Sequence, residues 1–320
     1  MEKLNFKERI GMKKKIKKLK TAKKYYSFFN FSLKKPKKMI VFLADGKRTH
    51  GGFADRLKGI VSLFAFSLVK NVPFKVFYEF PFKLNDYLLE NQCNWLPKND
   101  KISKNFFQTK YFCLIDKHSA NDLLKIKKVT KQTHFHANMN YLEQINLYFG
   151  TNFDFATLFH QLFKPTKELA DFINYHKQQI GGEYISVHFR FIGLLGDFKD
   201  NRNNELAECE KQKLIIKNLL IIKNLTHKFP NKKIFVAADS NTFIEQAKKI
   251  KNVYVLDGNI IHIDKTEGEN SAYMRVFLDF FLLSESEKVF SVCSPEMYAS
   301  EFPIYAAKIN NIDFEKIIIE

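Results

Sequence analysis

The second half of the chain alternates short apolar segments with longer segments whose apolar residues recur at helical spacing. Strands separated by helices of this length are expected to be parallel, because a parallel pair needs a long crossover connection. The pattern predicts an α/β fold with a doubly wound parallel sheet. The predicted strands are 183–190, 232–238, 252–256 and 288–293, and the predicted helices are 166–179, 205–227, 242–251, 272–284 and 295–307.

A comparable order of elements begins at Met39. A strand-length run at 39–45 leads through a glycine-containing loop into a helical pattern at 53–70. With 320 residues, 45% of them hydrophobic, the chain is long enough to bury two cores. We therefore predict a basic tail at 1–38, followed by two domains at 39–165 and 166–320. Further strand patterns lie at 73–80, 110–116 and 128–137.

One segment, YISVHFRFIGLLGDF at 184–198, delivers polar residues at the end of an apolar run. Successive side chains of a strand point to opposite faces, so His188 and Arg190 share a face. A guanidinium offers a planar set of donors that matches phosphate, and open α/β sheets bind ligands at the carboxyl ends of their strands. The segment is equally compatible with an arginine paired to a structural carboxylate and a histidine satisfied in the core.

Two later strands also end in polar residues. Asp239 follows the run at 232–238, and Ser294 follows the run at 288–293. We expect Arg190, Asp239 and Ser294 to converge at one edge of the sheet, where they would supply a phosphate donor, a carboxylate and a hydroxyl. Each has a structural alternative, since a residue that caps a helix start contributes about 1 kcal/mol without any ligand.

Positive charge is concentrated near the N-terminus. The formal net charge is +18, of which residues 1–38 carry +13 (15 Lys and Arg minus 2 Asp and Glu), leaving +5 elsewhere. Lysines beside aromatic residues such as Tyr26 favour an anionic membrane surface, at about 1 kcal/mol per lysine. A solvated arm is the alternative. We do not expect nucleic acid as a partner, because no recognised nucleic-acid module follows the tail.

The cysteine and histidine spacings indicate neither disulfides nor a metal site. The four cysteines lie far apart and form no CxxC pair, which fits a reducing compartment. His134 and His136 share a strand face, but no third ligand has an obvious spacing, so a structural role is the better interpretation. No run approaches the roughly 20 apolar residues of a membrane span. We expect a cytoplasmic protein that the tail holds peripherally at the inner membrane face.

Four segments resemble, in order and spacing, the fucosyltransferase superfamily that includes the α1,2-, α1,6- and protein O-fucosyltransferases. GGFADRLKGIVSLFAFSL is similar to the family's N-terminal glycine loop and helix, and the segment that ends in HFR is similar to the one carrying its His-x-Arg motif. IFVAADS resembles a strand that ends in aspartate, and the last segment resembles the closing helix, strand and serine. These segments are 51–68, 163–190, 234–240 and 279–307.

The resemblance implies a GT-B architecture, in which two Rossmann-like domains face a cleft and the C-terminal domain holds GDP-fucose. It further implies transfer with inversion, without a metal ion or other cofactor. Arg190 occupies the position of the arginine that binds the diphosphate, whereas Phe191 stands where many family members have a second arginine. The implied donor-binding residues are His188, Arg190, Asp239 and Ser294.

The acceptor side is assigned to the glycine loop, with Gly51, Gly52 and Arg56 as its candidate residues. The general base that removes the acceptor proton is predicted to be Asp197, which follows the site strand in a loop. Asp55, which stands where the family usually has asparagine, is the alternative base. Asp197 could equally cap a helix or face water.

These observations predict a fucosyltransferase-like enzyme that modifies a polysaccharide or a lipid-linked glycan. One alternative is a GT-B transferase that uses another nucleotide sugar. The other is a non-catalytic protein of the same fold that binds glycans or nucleic acid.

Overall fold

Two parallel β-sheets form the framework of the computed structural model, which describes Tyr26 and residues 37–97, 102–115, 120–197, 205–258 and 270–319. The strands are β1 Met39–Ala44, β2 Phe74–Tyr78, β3 Leu88–Glu90, β4 Thr109–Leu114, β5 Gln132–Ala137, β6 Phe163–Pro165, β7 Tyr184–Phe189, β8 Lys233–Ala238, β9 Val253–Tyr254, β10 Lys288–Cys293 and β11 Asp313–Ile318. The α-helices are α1 Phe53–Val69, α2 Asn121–Leu124, α3 Leu142–Phe149, α4 Phe155–Leu162, α5 Lys167–Ile180, α6 Glu208–Lys228, α7 Asn241–Ala247, α8 Asn270–Ser284 and α9 Phe302–Ile309.

The first sheet has the strand order β2-β1-β5-β4, and every pair in it is parallel. Helix α1 lies against this sheet at very short range. A Cβ atom added to Gly59 would lie 2.2 Å from the carbonyl oxygen of Ala137, at the end of β5. Only glycine allows this approach, which holds the N-terminal half of α1 beside the carboxyl ends of β1 and β5.

The second sheet has the order β11-β10-β7-β8-β9 and is also parallel throughout. This confirms the predicted α/β class, and the four predicted strands of this half are present. Strand β11 was not predicted from the sequence. It lies at the edge of the sheet, where its charged residues Asp313, Glu315 and Lys316 interrupt the apolar pattern that marks the buried strands.

The two halves share apolar contacts. Phe277 of α8, in the second half of the sequence, lies with its ring centroid 4.7 Å from that of Phe53, 5.5 Å from that of Phe82 and 4.4 Å from that of Tyr87. All four side chains are buried in one continuous cluster, which also contains residues of β1 and β8. The halves are therefore joined by a common core as well as by the polypeptide chain.

Several boundaries differ from the predicted ones. Helix α5 starts close to the predicted position, and Thr166 caps it, because its hydroxyl accepts the backbone N–H of Leu169. Helix α9 begins at Phe302 rather than at 295, because residues 294–301 form a turn after β10. The short antiparallel pair β3 and β6 was also missed, since three-residue strands carry little periodicity. None of the helices in the described residues is long and apolar enough to cross a membrane.

Of the predicted basic tail, only Tyr26, Lys37 and Lys38 lie within the described residues. The Tyr26 side chain is buried, and its hydroxyl is 2.7 Å from Nδ1 of His134 on β5. Its ring also lies 6.1 Å from the ring of Tyr111 on β4. This differs from the expectation of a ring at a membrane interface, because the first sheet already buries Tyr26.

Candidate active site

The carboxyl edge of the second sheet brings together three predicted site residues. Strand β7 pairs with β8 on one side and with β10 on the other. Arg190, Asp239 and Ser294 each follow one of these strands directly. The predicted convergence on one sheet edge therefore agrees with the strand order.

Arg190 and Asp239 form the centre of this edge. Arg190 Nη1 lies 3.2 Å from Asp239 Oδ2, and the arginine side chain keeps 20% of its surface exposed whereas the carboxylate is buried. Asp239 also accepts the backbone N–H groups of Phe191, at 2.6 Å, and Ile192, at 2.8 Å. Burial raises the pKa of the Asp239 carboxyl, while Arg190 and the two N–H groups act in the opposite direction.

The same carboxylate supports an unusual turn after β7. Ile192 has a φ of 61°, a left-handed conformation that is rare for a β-branched residue. Such a backbone costs on the order of 1–3 kcal/mol and persists only where its surroundings enforce it. Here the hydrogen bonds to Asp239 enforce it. Asp239 thus shapes the turn and orients Arg190, whose partly exposed guanidinium can meet an anion.

His188 is buried beside this centre. Its ring centroid lies 5.7 Å from that of Phe302, and its Nδ1 has no hydrogen-bond partner among the described residues. Burial, together with the nearby Arg190, lowers the pKa of His188 to about 3. The imidazole is therefore neutral at physiological pH, so it can donate or accept a hydrogen bond but adds no charge.

Ser294 stabilises the turn after β10. Its hydroxyl donates to Glu296 Oε2 at 2.6 Å and accepts the backbone N–H of Met297 at 3.2 Å. These contacts agree with the structural alternative for Ser294, in which its side chain caps a backbone N–H. The backbone at this sheet edge can still face a ligand.

Asp197 is tied to the start of helix α7. Its Oδ2 accepts the Ser240 hydroxyl at 2.9 Å and the Thr242 backbone N–H at 2.6 Å. Its Oδ1 is buried and has no hydrogen-bond partner within the described ranges. The structure thus places this predicted base in the capping position that was its structural alternative.

The predicted acceptor-side residues lie at the carboxyl edge of the first sheet. Gly51 has a φ of 84°, and a Cβ atom there would lie 2.3 Å from Asp55 Oδ2. That oxygen accepts the Gly52 N–H at 3.0 Å. Arg56 is buried and donates from Nη1 to the Phe80 carbonyl at 2.8 Å. Its Nε donates to the Gly51 carbonyl at 3.4 Å, so Arg56 holds the loop in place and offers no exposed charge to an acceptor.

The two sheet edges meet at Lys58, a residue that was not predicted from the sequence to belong to the site. Its buried ammonium lies 2.7 Å from Asp55 Oδ1 and contacts Glu301, the residue that precedes α9. It also lies 5.6 Å from the centroid of the Tyr305 ring. Burial lowers the pKa of Lys58, but the two carboxylates outweigh it and the net shift is upward. A lysine on a helix face that is otherwise apolar was the signal available in the sequence.

The two histidines of β5 have protein partners. His134 contacts Tyr26 and lies 3.1 Å from Gln132 Oε1. His136 Nε2 is 3.0 Å from Asp45 Oδ1, and its Nδ1 is 2.9 Å from the Tyr111 hydroxyl. The preferred structural interpretation agrees with these contacts. Within the described residues, no group of three or more His, Cys, Asp or Glu side chains is arranged to hold a metal ion.

Solved structures share this arrangement of elements. The α-1,6-fucosyltransferase NodZ, co-crystallized with GDP, matches with a TM-score of 0.56 at 13% sequence identity, over 85% of this chain and 92% of that chain. POFUT1 in complex with GDP-fucose matches with a TM-score of 0.53 at 10% identity, over 88% of this chain and 98% of that chain. NodZ from Bradyrhizobium matches with a TM-score of 0.51 at 13% identity, over 85% and 92% of the two chains.

The chain has the fucosyltransferase fold. The resemblance predicted from the four sequence segments is thereby confirmed at the level of the fold, as is the GT-B-like α/β class. No protein-family model matches the chain, and no curated protein sequence matches it. At 10–13% identity, this likeness shows the fold and assigns no role to a residue of the site.

Proposed function

We propose that this protein is a glycosyltransferase that moves fucose from GDP-fucose to a hydroxyl group of a glycan. The observation that carries the proposal is Arg190, a partly exposed guanidinium held by a buried carboxylate at the carboxyl edge of the second sheet. A diphosphate is the ligand that suits such a group at such an edge. Solved structures of the same fold contain GDP and GDP-fucose, which supports this choice of donor.

The chemistry follows from the charges. When the bond between the sugar and the diphosphate breaks, negative charge develops on the leaving oxygen, and a preorganised guanidinium stabilises it. The acceptor oxygen attacks the anomeric carbon from the opposite side, which inverts its configuration. Arg190 supplies the charge that a divalent cation supplies elsewhere, so we propose that no metal ion is needed. His188 is neutral and can hydrogen-bond to the donor without competing with Arg190 for the diphosphate.

The acceptor is proposed to bind near the first sheet edge, beside the loop that contains Gly51 and Gly52. Of the two predicted bases, Asp55 is more exposed than Asp197. The Asp55 side chain is 33% exposed, whereas Asp197 has one oxygen engaged by two donors and the other buried. A base must reach the proton that it removes.

We further propose that the acceptor belongs to polysaccharide or lipid-linked glycan synthesis at the cytoplasmic face of a membrane. The charge of +13 on residues 1–38 supports this location. Tyr26 would not take part in membrane contact, because it is buried against the first sheet.

A GT-B transferase that uses another nucleotide sugar is the second candidate. Phe191 favours it, because this residue occupies the place of a second arginine and its ring packs 4.8 Å from that of Phe243. Arg190 would then be the one arginine that contacts the diphosphate, and other residues would recognise the nucleobase and the sugar of the donor.

Ligand-induced stabilisation tests the donor site. A ligand at 100 times its Kd stabilises the folded state by about 2.7 kcal/mol, so we expect GDP, but not UDP or CMP, to raise the melting temperature. Arg190→Ala should abolish the rise, and Lys248→Ala, at an exposed ion pair, should not. Turnover of GDP-fucose should survive excess EDTA. Stabilisation by UDP instead of GDP would favour the second candidate, and equal GDP binding by Arg190→Ala would refute the assigned site.

A further inference from the structure

Two carboxylates from opposite halves of the molecule converge on one buried ammonium group. Asp55 stands on the first turn of α1, which follows the loop after β1, and Glu301 immediately precedes α9, which follows the turn after β10. Both contact Lys58, whose side chain is only 5% exposed. Because β1 and β10 belong to different sheets, the carboxyl edges of the two sheets face each other at this point.

Glu301 also lies beside the proposed donor site. The next residue, Phe302, packs its ring 5.7 Å from that of His188. His188 is on β7, two residues before Arg190, and its buried Nδ1 has no partner among the described residues. Glu301 therefore contacts α1 through Lys58 and directly precedes a residue that packs against the strand leading to Arg190.

The carboxylates near the junction, the place where the two sheet edges meet at Lys58, differ in how many of their oxygens are already engaged. Asp197 is engaged at the start of α7, and both oxygens of Asp55 are in use, one by the Gly52 N–H and the other by Lys58. Glu301 contacts Lys58 through Oε2, and its Oε1 accepts no hydrogen bond from any described residue. With 51% of its side chain exposed, Glu301 can reach a hydroxyl group in the space between the sheet edges.

We propose that Glu301 is the catalytic base of the transfer, an inference that rests on the proposed function. The acceptor hydroxyl oxygen forms a bond with the anomeric carbon of the donor, and its proton passes to Glu301 Oε1. The bond between that carbon and the diphosphate oxygen breaks, and its electron pair leaves with the diphosphate at Arg190. Lys58 and Asp55 are positioning residues. The ammonium fixes Glu301 Oε2, and Asp55 fixes the ammonium at 2.7 Å.

The test replaces Glu301 by an isosteric amide and follows GDP release from GDP-fucose, with water as the acceptor. A positioned general base contributes about 10²–10⁴-fold, so we expect Glu301→Gln to lower kcat by at least about 100-fold. The affinity for GDP should stay within twofold, because Arg190 and Asp239 are unchanged. Glu287→Gln is the matched control, since Glu287 also contacts a lysine, Lys232, but lies before β10 at the opposite sheet edge.

Azide distinguishes a variant that lacks only the catalytic base from a variant whose site no longer folds correctly. It is an anion that attacks the anomeric carbon without giving up a proton, so formation of the glycosyl azide should be equally fast in the wild type and in Glu301→Gln. Water turnover by Glu301→Gln within twofold of the wild type overturns the proposal, and so does loss of the azide reaction or of GDP binding. Absence of any GDP-fucose turnover by the wild type overturns the proposed function instead.

Discussion

The carboxyl edges of the two sheets carry their charges in different ways. At the second sheet, Arg190 and Asp239 follow neighbouring strands, and the pairing of β7 with β8 is enough to bring them to 3.2 Å. At the first sheet, Lys58 meets Glu301, which is 243 residues away in the sequence, only because α9 packs across the junction. The proposed donor side can therefore form within one half of the molecule, whereas the proposed acceptor side needs both halves.

This difference has a functional consequence. A change at the second edge should impair nucleotide binding directly. A change at the junction should impair transfer to an acceptor while leaving the nucleotide bound, because the residues that hold the diphosphate are elsewhere. Variants at each edge can test this separation.

Asp239→Ala is expected to have the largest effect. It removes a buried carboxylate that holds Arg190 and two backbone N–H groups. Removing one member of a buried ion pair costs about 3–5 kcal/mol, so the free energy of unfolding in urea should fall by that amount and GDP should no longer stabilise the protein. Asp257→Ala, at an ion pair whose carboxylate is 81% exposed, should cost less than about 1 kcal/mol. Similar losses of unfolding free energy in both variants would contradict the assignment of Asp239 as the residue that holds Arg190 and the turn after β7.

Lys58→Met should have an intermediate effect on stability and a specific effect on turnover. It leaves Asp55 and Glu301 without their shared cation, and hydrogen bonds to charged groups contribute about 1.5–3 kcal/mol. Because both carboxylates are partly exposed, we expect a loss of about 2 kcal/mol. Isothermal titration should show unchanged GDP affinity, while kcat falls. A fall in GDP affinity together with kcat would contradict the separation of nucleotide binding from transfer. Lys248→Met is the control for removal of an exposed lysine.

Gly51→Ala should have a smaller effect than Asp239→Ala, and Gly150→Ala isolates its cause. Both glycines have a left-handed backbone, with φ of 84° and 65°, for which alanine costs about 1–2 kcal/mol. A Cβ atom at Gly51 would also meet Asp55 Oδ2 at 2.3 Å, whereas one at Gly150 meets nothing within 4 Å. Thermal unfolding should thus show the greater loss for Gly51→Ala, with a further loss of turnover because Asp55 and then Lys58 must shift. Equal stability losses in the two variants, with unchanged turnover, would show that the loop is not part of the acceptor site.

Local patterns predicted most elements of the fold. Buried parallel strands read as continuous apolar runs, and long helices carry a clear period, so β7, β8, β10 and α5 are close to their predicted positions. Strand β11 was missed because an edge strand tolerates charged residues and loses the apolar signal. Helix α7 ends at Ala247 rather than at 251, because residues 248–252 turn directly into β9.

The site was partly predictable, because part of it also depends on the order of the strands. Arg190 and Asp239 could be identified because residues at strand ends meet whenever their strands pair. Asp197 was predicted as the base from its position in a loop, but the sequence does not show that the start of α7 engages one of its oxygens. Its catalytic role remains a prediction, and its contacts favour a cap.

By itself, the sequence determined the α/β class, the resemblance to fucosyltransferases and the arginine at the end of β7, because these depend on periodicity and on residues close together in the chain. Only the tertiary structure decided that Tyr26 is buried by the first sheet, that Phe277 joins the two halves and that Lys58 contacts Glu301. Those contacts form between residues far apart in the chain. Their energies come from burial and charge pairing, which depend on the packed surroundings and not on the local order of residues.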